Sequence, residues 1–478
     1  MTKGFKTCAG VTALYLMFIY FTNIYYCDDL MRSYYGYMAW STDGRPFADI
    51  FYKLFLQFGS ESVPDIFPLP IIISGAIFSY AIYKALQRLC NPGIATYAGA
   101  CIALLCNPFI ISNFLFRYDG AFMMLAFACA IAPHAIRTNR KVLGVILSVA
   151  LLTMSFGLYQ ASVNVFIGFS FIAFLSIYIN TGDLKKCFSS SILDFISLVL
   201  AYLIYSKLIL AVTPLNPYFV NFSKVIPLSG EGLSILIRNI LQAIDTINVA
   251  FNSGLILPLA ICSFISLYCL VKYAPYHKGL AILLYIVGLA GVSFFSFGIV
   301  AFGQNAAFFP RVFMGLGCLF AFNIIFTSLA TKNKTLPLIS SLVMSLPLLV
   351  IFFATLNASR QDYEYQNNIA SMIVKDIYSS TAKKEVMISI EGNIKRSPVA
   401  QINSRIFPVI DMLLPQIFKT AYDGGRLTLI RNGLHEVKHV NQEEAGLYNS
   451  RASENNMLAD NSVYSIYHVD NVIVIKFH

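Results

Sequence analysis

The chain has 478 residues, 57% of them hydrophobic and 12% charged, with a formal net charge of +10. A soluble domain carries about 25% charged residues, so this composition excludes one and points to a polytopic α-helical membrane protein. The charge excess also argues against a nucleic-acid partner: residues 357–478 hold 13 Lys/Arg against 13 Asp/Glu, so the surplus (21 against 11) is confined to residues 1–356 and lies scattered in loops. A β-barrel would show ~10-residue alternating segments instead. All ten cysteines precede residue 357, mostly inside apolar runs and without a CxxC pair, so they read as small hydrophobes rather than a disulfide framework.

The first apolar run, Cys8 to Tyr26, is free of charge and long enough to cross a bilayer, which needs ~20 apolar residues. Lys3 and Lys6 precede it as in a signal peptide, but the run is too long for one and lacks a small-residue cleavage site, so it reads as an uncleaved span. Ten more candidate spans follow at about 66–86, 93–115, 119–136, 142–158, 161–180, 188–211, 249–271, 279–302, 311–330 and 336–356, eleven in all. One set of loops carries Lys3, Lys6, Lys84, Arg88, Arg137, Arg140, Lys141, Lys185, Lys186, Lys272, Lys278, Lys332 and Lys334. The other carries Asp28, Asp29, Asp43, Asp49, Glu61, Asp65, Asp119, Glu231 and Asp245. Basic short loops stay in the cytoplasm, which puts the N-terminus inside and the acidic loops outside. An odd number of spans then puts the C-terminal region outside too.

The first outer loop, about 27–65, contains Phe47, Ile50, Phe51, Leu54, Phe55 and Phe58 on one helical face, with Asp49, Lys53 and Gln57 off it. Too short to span, this stretch predicts a helix lying in the membrane interface. Leu233, Leu236, Ile237, Ile240, Leu241 and Ile244 repeat the same offsets after the seventh span and predict a second one. Pro108, Pro214, Pro217, Pro227 and Pro310 fall near outer span ends, where proline stops helices and shapes turns. The two domains are therefore residues 1–356, in the membrane, and 357–478, a small outer α/β domain. Within the latter, Gln361–Thr381 reads as a polar helix, and Val386–Ile390, Leu427–Ile430 and Val472–Phe477 read as strands. His435 and His439 have i, i+4 spacing but no third ligand, which favours a non-metal reading.

Five polar features gather at outer span ends: Asp28-Asp29 with Arg32, Asp43-Gly44-Arg45-Pro46, Arg117-Tyr118-Asp119, Tyr159-Gln160 and Pro310-Arg311. Arginine suits a phosphate leaving group, because its fork matches phosphate oxygens. A carboxylate suits deprotonation of an acceptor hydroxyl. A sugar carried on a membrane lipid phosphate needs both groups at the outer surface. Nucleotide sugars stay in the cytoplasm, and no nucleotide-binding glycine loop is present. A transporter or flippase of a lipid-linked saccharide is the rival class, but it would place polar groups near the midplane and show internal repeats. An O-antigen polymerase or ligase would carry its large outer loops between late spans.

Acids after the first span, an interfacial helical loop, about eleven spans and an outer C-terminal domain resemble the GT-C glycosyltransferase superfamily. More narrowly, Asp28-Asp29-(x2)-Arg32-(x3)-Gly36-(x3)-Trp40-(x3)-Gly44-Arg45-Pro46 resembles the O-antigen serotype-conversion glucosyltransferases, the Gtr type. Arg117-Tyr118-Asp119, Tyr159-Gln160 and the strand run Val463 to Phe477 are similar as well. The resemblance implies a donor of undecaprenyl phosphate-glucose, an acceptor sugar in lipid-linked O-antigen, and an inverting displacement at the periplasmic face of a bacterial inner membrane. It leaves room for a different lipid-linked sugar. Asp28 or Asp29 would then be the base, the other orienting Arg32 or the sugar, with Asp119 in reserve. Arg45, Arg117 and Arg311 would take the donor phosphate, with Tyr159 and Gln160 beside the substrate. Two carboxylates are too few to require a divalent metal, so no metal or other cofactor is expected.

Overall fold

The computed structural model describes residues 2–136, 140–380, 387–420, 422–435 and 437–478. Arg137, Thr381 and Val386, which figure in the expectations above, lie outside them, as does the His439 side chain. The helices in chain order are α1 (Lys3–Thr22), α2 (Asp29–Tyr35), α3 (Pro46–Phe55), α4 (Leu69–Leu89), α5 (Ile94–Leu105), α6 (Pro108–Leu115) and α7 (Asp119–Ala135). There follow α8 (Lys141–Leu158), α9 (Val163–Thr181), α10 (Leu184–Leu203), α11 (Pro217–Phe222), α12 (Gly230–Ala250), α13 (Ile256–Tyr273), α14 (Lys278–Phe294), α15 (Leu316–Ala330) and α16 (Thr335–Ser380). The last four are α17 (Pro398–Ile406), α18 (Val409–Leu413), α19 (Gly424–Arg431) and α20 (Gln442–Arg451).

Among the described residues, seven helical runs are long and apolar enough to cross a membrane, or eight if one bent pair counts as a span. The expected eleven spans are not all of spanning length. Those at 119–136, 279–302 and 311–330 are α7, α14 and α15, of 17, 17 and 15 residues. α7 and α15 are apolar on every side and almost wholly buried, as expected of helices packed inside protein. The expected span at 93–115 is broken: α5 and α6 meet at 69°. Asn107 caps α6 by accepting the Phe109 and Ile110 N–H groups, and Pro108 cannot continue the α5 ladder.

The chain divides into two compact units. One comprises 1–21, 38–353 and 407–409; the other comprises 22–37, 354–406 and 410–478. In the first, α4 packs along α7, and α9 is the hub, touching α7, α10, α14 and α15. The two amphipathic helices turn their faces the other way from a soluble helix. α3 buries Ala48, Asp49, Phe51 and Tyr52 while Ile50 and Leu54 stand exposed, so the buried face is not the apolar stripe read from sequence. α12 buries Gly232, Asn239, Ala243 and Thr246 and exposes Leu233, Ile237, Leu241 and Ile244. Apolar residues turned outward over polar ones turned inward suit lipid and would be costly in water. α12 is not separate from the following span: it runs into α13 through a wide turn at Phe251–Leu255, where Gly254 adopts φ +95°.

The expected last span and polar helix are one 46-residue helix, α16, of which residues 335–353 belong to the first unit and 354–380 to the second. The sheet has strands β1 (Met387–Glu391), β2 (Lys438–His439), β3 (Met457–Asp460), β4 (Tyr464–Val469) and β5 (Val472–Phe477) in the order β2-β1-β5-β4-β3. β1 runs parallel to β2 and β5, and β3, β4 and β5 are antiparallel. The segment 427–430, read from sequence as a strand, lies within α19. Its Leu-Thr-Leu-Ile composition is strand-like, but Gly424-Gly425 opens a helical turn and buries it against its neighbours.

Candidate active site

The loop before α3 builds the polar centre of the first unit. Asp49, on the first turn of α3, accepts the Trp40 N–H (3.1 Å), the Ser41 N–H (2.9 Å) and the Ser41 hydroxyl. These bonds fold the loop back on its own helix and seat Trp40, the only tryptophan of the chain, in full burial. Its ring stacks on Tyr52 at 4.8 Å and meets Phe122 edge-on at 5.3 Å. Tyr52 in turn donates to the Tyr118 carbonyl at 2.5 Å.

So placed, the Trp40 indole N–H donates to Asp119 Oδ1 at 2.8 Å. Arg45 Nη1 donates to Asp119 Oδ2 at 3.3 Å. Asp119 opens α7, where the unpaired N–H groups of the first turn favour negative charge. The Arg45 guanidinium lies over the Tyr159 ring, 5.1 Å from its centre. Arg45 Nε is buried and makes no hydrogen bond, a costly state for a charged donor and one that an anionic oxygen would relieve.

Tyr159 donates its hydroxyl to the Arg311 carbonyl (3.0 Å), which also accepts from Asn113 Nδ2 (3.0 Å). Burial pushes the Tyr159 phenol up, while the nearby Arg311 and Arg45 charges pull it back. The Arg311 guanidinium lies 5.2 Å from the Phe309 ring centre and 5.7 Å from that of Phe116. Gln160 acts one step away: its amide donates to the Gly44 carbonyl (2.9 Å) and to the Tyr205 hydroxyl (2.8 Å), and Tyr205 donates to the same carbonyl (2.7 Å). Gly44 is required twice over, by its φ of +70° and by the Phe219 ring 2.3 Å from where a Cβ would stand.

The structure thus brings Arg45, Asp119, Tyr159, Gln160 and Arg311 into one network. Arg117 is engaged differently: its Nε and Nη2 meet Asp65 Oδ2 at 3.0 and 2.9 Å, and its guanidinium lies over Phe67 at 4.7 Å. Asn113 and Tyr205 escaped the sequence reading, and Asp49 entered it only as an outer-loop acid off the apolar stripe. Trp40 stood in the quoted loop motif, but its contact with Asp119 spans 79 residues and carries no local signal.

Asp28, Asp29 and Arg32 belong to the second unit. Asp29 is 1% exposed, and its Oδ2 accepts the Tyr26 N–H at 3.0 Å, closing the turn that starts α2. Asp28 is half-buried. Arg32 donates to the Tyr37 carbonyl (2.7 Å) and lies over the Tyr37 ring at 4.6 Å. Among the described residues no group of three or more His, Cys, Asp or Glu side chains is arranged to hold a metal ion.

The family model described as "Glucosyl transferase GtrII" matches residues 17–322, a range that holds every candidate site residue. Over 484 aligned residues the sequence is 27% identical to a protein of Salmonella phage P22 described as "Uncharacterized 55.3 kDa protein in gtrB 5'region", covering 98% of this chain and 97% of that one. No solved structure matches.

Proposed function

Because the chain belongs to the GtrII glucosyl transferase family, we propose that it transfers glucose from undecaprenyl phosphate-glucose to a sugar of lipid-linked O-antigen, at the periplasmic face of a bacterial inner membrane. The N-terminus is then cytoplasmic and residues 357–478 are periplasmic. In the reaction the acceptor hydroxyl oxygen bonds to the anomeric carbon. The bond from that carbon to the phosphate oxygen breaks, and undecaprenyl phosphate departs with both bonding electrons. The hydroxyl proton passes to a carboxylate.

Asp28 is the proton acceptor in this reading. Asp29, buried and already holding the Tyr26 N–H, shapes the turn beside it. Arg45 and Arg311 take the donor phosphate, Asp119 orients Arg45, and Tyr159 forms the surface on which the guanidinium rests. The reaction needs no metal or other cofactor. The observation that carries this reading is Arg45: one nitrogen paired to Asp119, the ring face of Tyr159 beneath, and a buried Nε with no partner. A lipid-borne donor also suits the cavity of about 420 Å³ between α9, α10 and α14, whose lining includes Phe166, Phe171, Phe174, Phe195, Leu284 and Asp194.

The test is glucosyl transfer by purified protein in proteoliposomes containing undecaprenyl phosphate-glucose. Arg45→Ala is expected to raise the KM for the donor more than the KM for the acceptor. Equal effects on both would remove the phosphate role.

A further inference from the structure

The acid-bearing turn, closed locally by Asp29 on the Tyr26 N–H, is not held by its own sequence alone. Cys27, directly before Asp28, has φ +47°, a left-handed conformation that a residue with a side chain adopts only when its surroundings over-determine it. The seven-residue α2 that follows is too short to be stable by itself. What fixes it comes from the far end of the chain, within the same unit. α2 packs on α19, some 390 residues away.

Two arginines of α19 grip the turn on both flanks. Before the acids, the Arg431 guanidinium lies over the Tyr25 ring at 4.4 Å and is itself anchored by the Tyr363 hydroxyl. After them, Arg426 Nη2 donates to the Tyr35 hydroxyl at 2.8 Å. Arg426 is buried and rigid, with Nε and Nη2 on the two oxygens of Asp423 (2.6 and 2.8 Å) and Nη1 on the Val437 carbonyl (2.8 Å). A third tie is the Tyr26 hydroxyl, which donates to the Leu413 carbonyl at 2.5 Å. Gly424 lets the Tyr422 ring close over the start of α19, at 2.3 Å from where a Cβ would stand.

We propose that α19 is the positioning element for Asp28, with Arg426 and Arg431 as positioning residues that set the turn through Tyr35 and Tyr25. The proposal rests on the reading of Asp28 as the base. It gives residues 410–478 a role in the chemistry itself: they place a carboxylate supplied by the first loop. A misplacement of 1 Å costs on the order of a hundredfold in rate, so loosening one flank must register in turnover.

The experiment uses the full chain in proteoliposomes with undecaprenyl phosphate-glucose, measuring kcat and donor KM beside thermal unfolding. Tyr25→Leu removes the ring under Arg431 and is expected to lower kcat about tenfold or more, with donor KM within about twofold of wild type. Tyr25→Phe keeps the ring and recovers most of the loss. Tyr35→Phe removes only the hydroxyl that Arg426 grips and lowers kcat in the same way. If Tyr25→Leu fails to accumulate, Arg431→Lys carries the same test, since lysine keeps the charge but not the planar fork. Wild-type kcat in Tyr25→Leu and Tyr35→Phe, or a change confined to KM, would overturn the proposal while an inactive Asp28→Asn left the base assignment standing. Full activity of Asp28→Asn would overturn both.

Discussion

Asp28 and Asp29 are neighbours in sequence with unlike surroundings, and their substitutions should differ. Asp28→Asn is expected to cost about 10²–10⁴-fold in transfer with the protein still folded, the range for loss of a general base. Asp29→Asn keeps an oxygen for the Tyr26 N–H and should retain far more activity than Asp29→Ala. Side-by-side rates and unfolding temperatures check both, and equal loss in the two asparagine variants would contradict the division of roles. In the other unit, Trp40→Phe removes a charge-assisted hydrogen bond worth about 1.5–3 kcal/mol and leaves the Arg45 ion pair to hold Asp119. We expect a lower unfolding temperature together with a raised donor KM; an unchanged KM would show that Asp119 does not orient Arg45. The loops announced Arg45, Asp119, Tyr159 and Arg311 as polar groups at helix ends. Trp40, Asp49 and Asn113 gave no such signal, because a buried partner is defined by the tertiary fold and not by local pattern.

At the scale of elements, periodicity located α3 and α12 but not which face each one buries. The apolar stripes are outward, and Asp49, read only as lying off the stripe, is buried because it organises the loop around Trp40. Hydropathy also could not tell a long lipid-facing helix from a shorter buried one such as α7, nor detect that Asn107-Pro108 bends one. The strand-like 427–430 became helix because its neighbours decide, not its propensity. One residue controls the bend between α12 and α13. Gly254 at φ +95° has no Cβ to strain, so Gly254→Ala should destabilise by about 1–2 kcal/mol, read as a lower unfolding temperature in detergent. An unchanged temperature would mean that the bend tolerates side chains.

For the whole molecule, charge sorting supplies the orientation, and it is testable apart from the chemistry. A reporter active only outside the cytoplasm should work when fused after His478 and fail when fused after Lys186; the opposite pattern would invert the topology. The span count was less legible than the membrane class, because buried apolar helices and lipid-facing ones share a composition. The association of residues 22–37 with the C-terminal residues, rather than with the helices that follow them, was not legible at all. The central claim is a glucosyl transfer that draws on a lipid phosphate donor and needs Asp28. The most direct measurement is incorporation of radiolabelled glucose into lipid-linked O-antigen by purified protein in proteoliposomes supplied with undecaprenyl phosphate-glucose, wild type against Asp28→Asn. Label in the wild type alone, with both proteins folded, is the expected result; equal labelling by the two, or labelling by the wild type only from a nucleotide sugar, would contradict it.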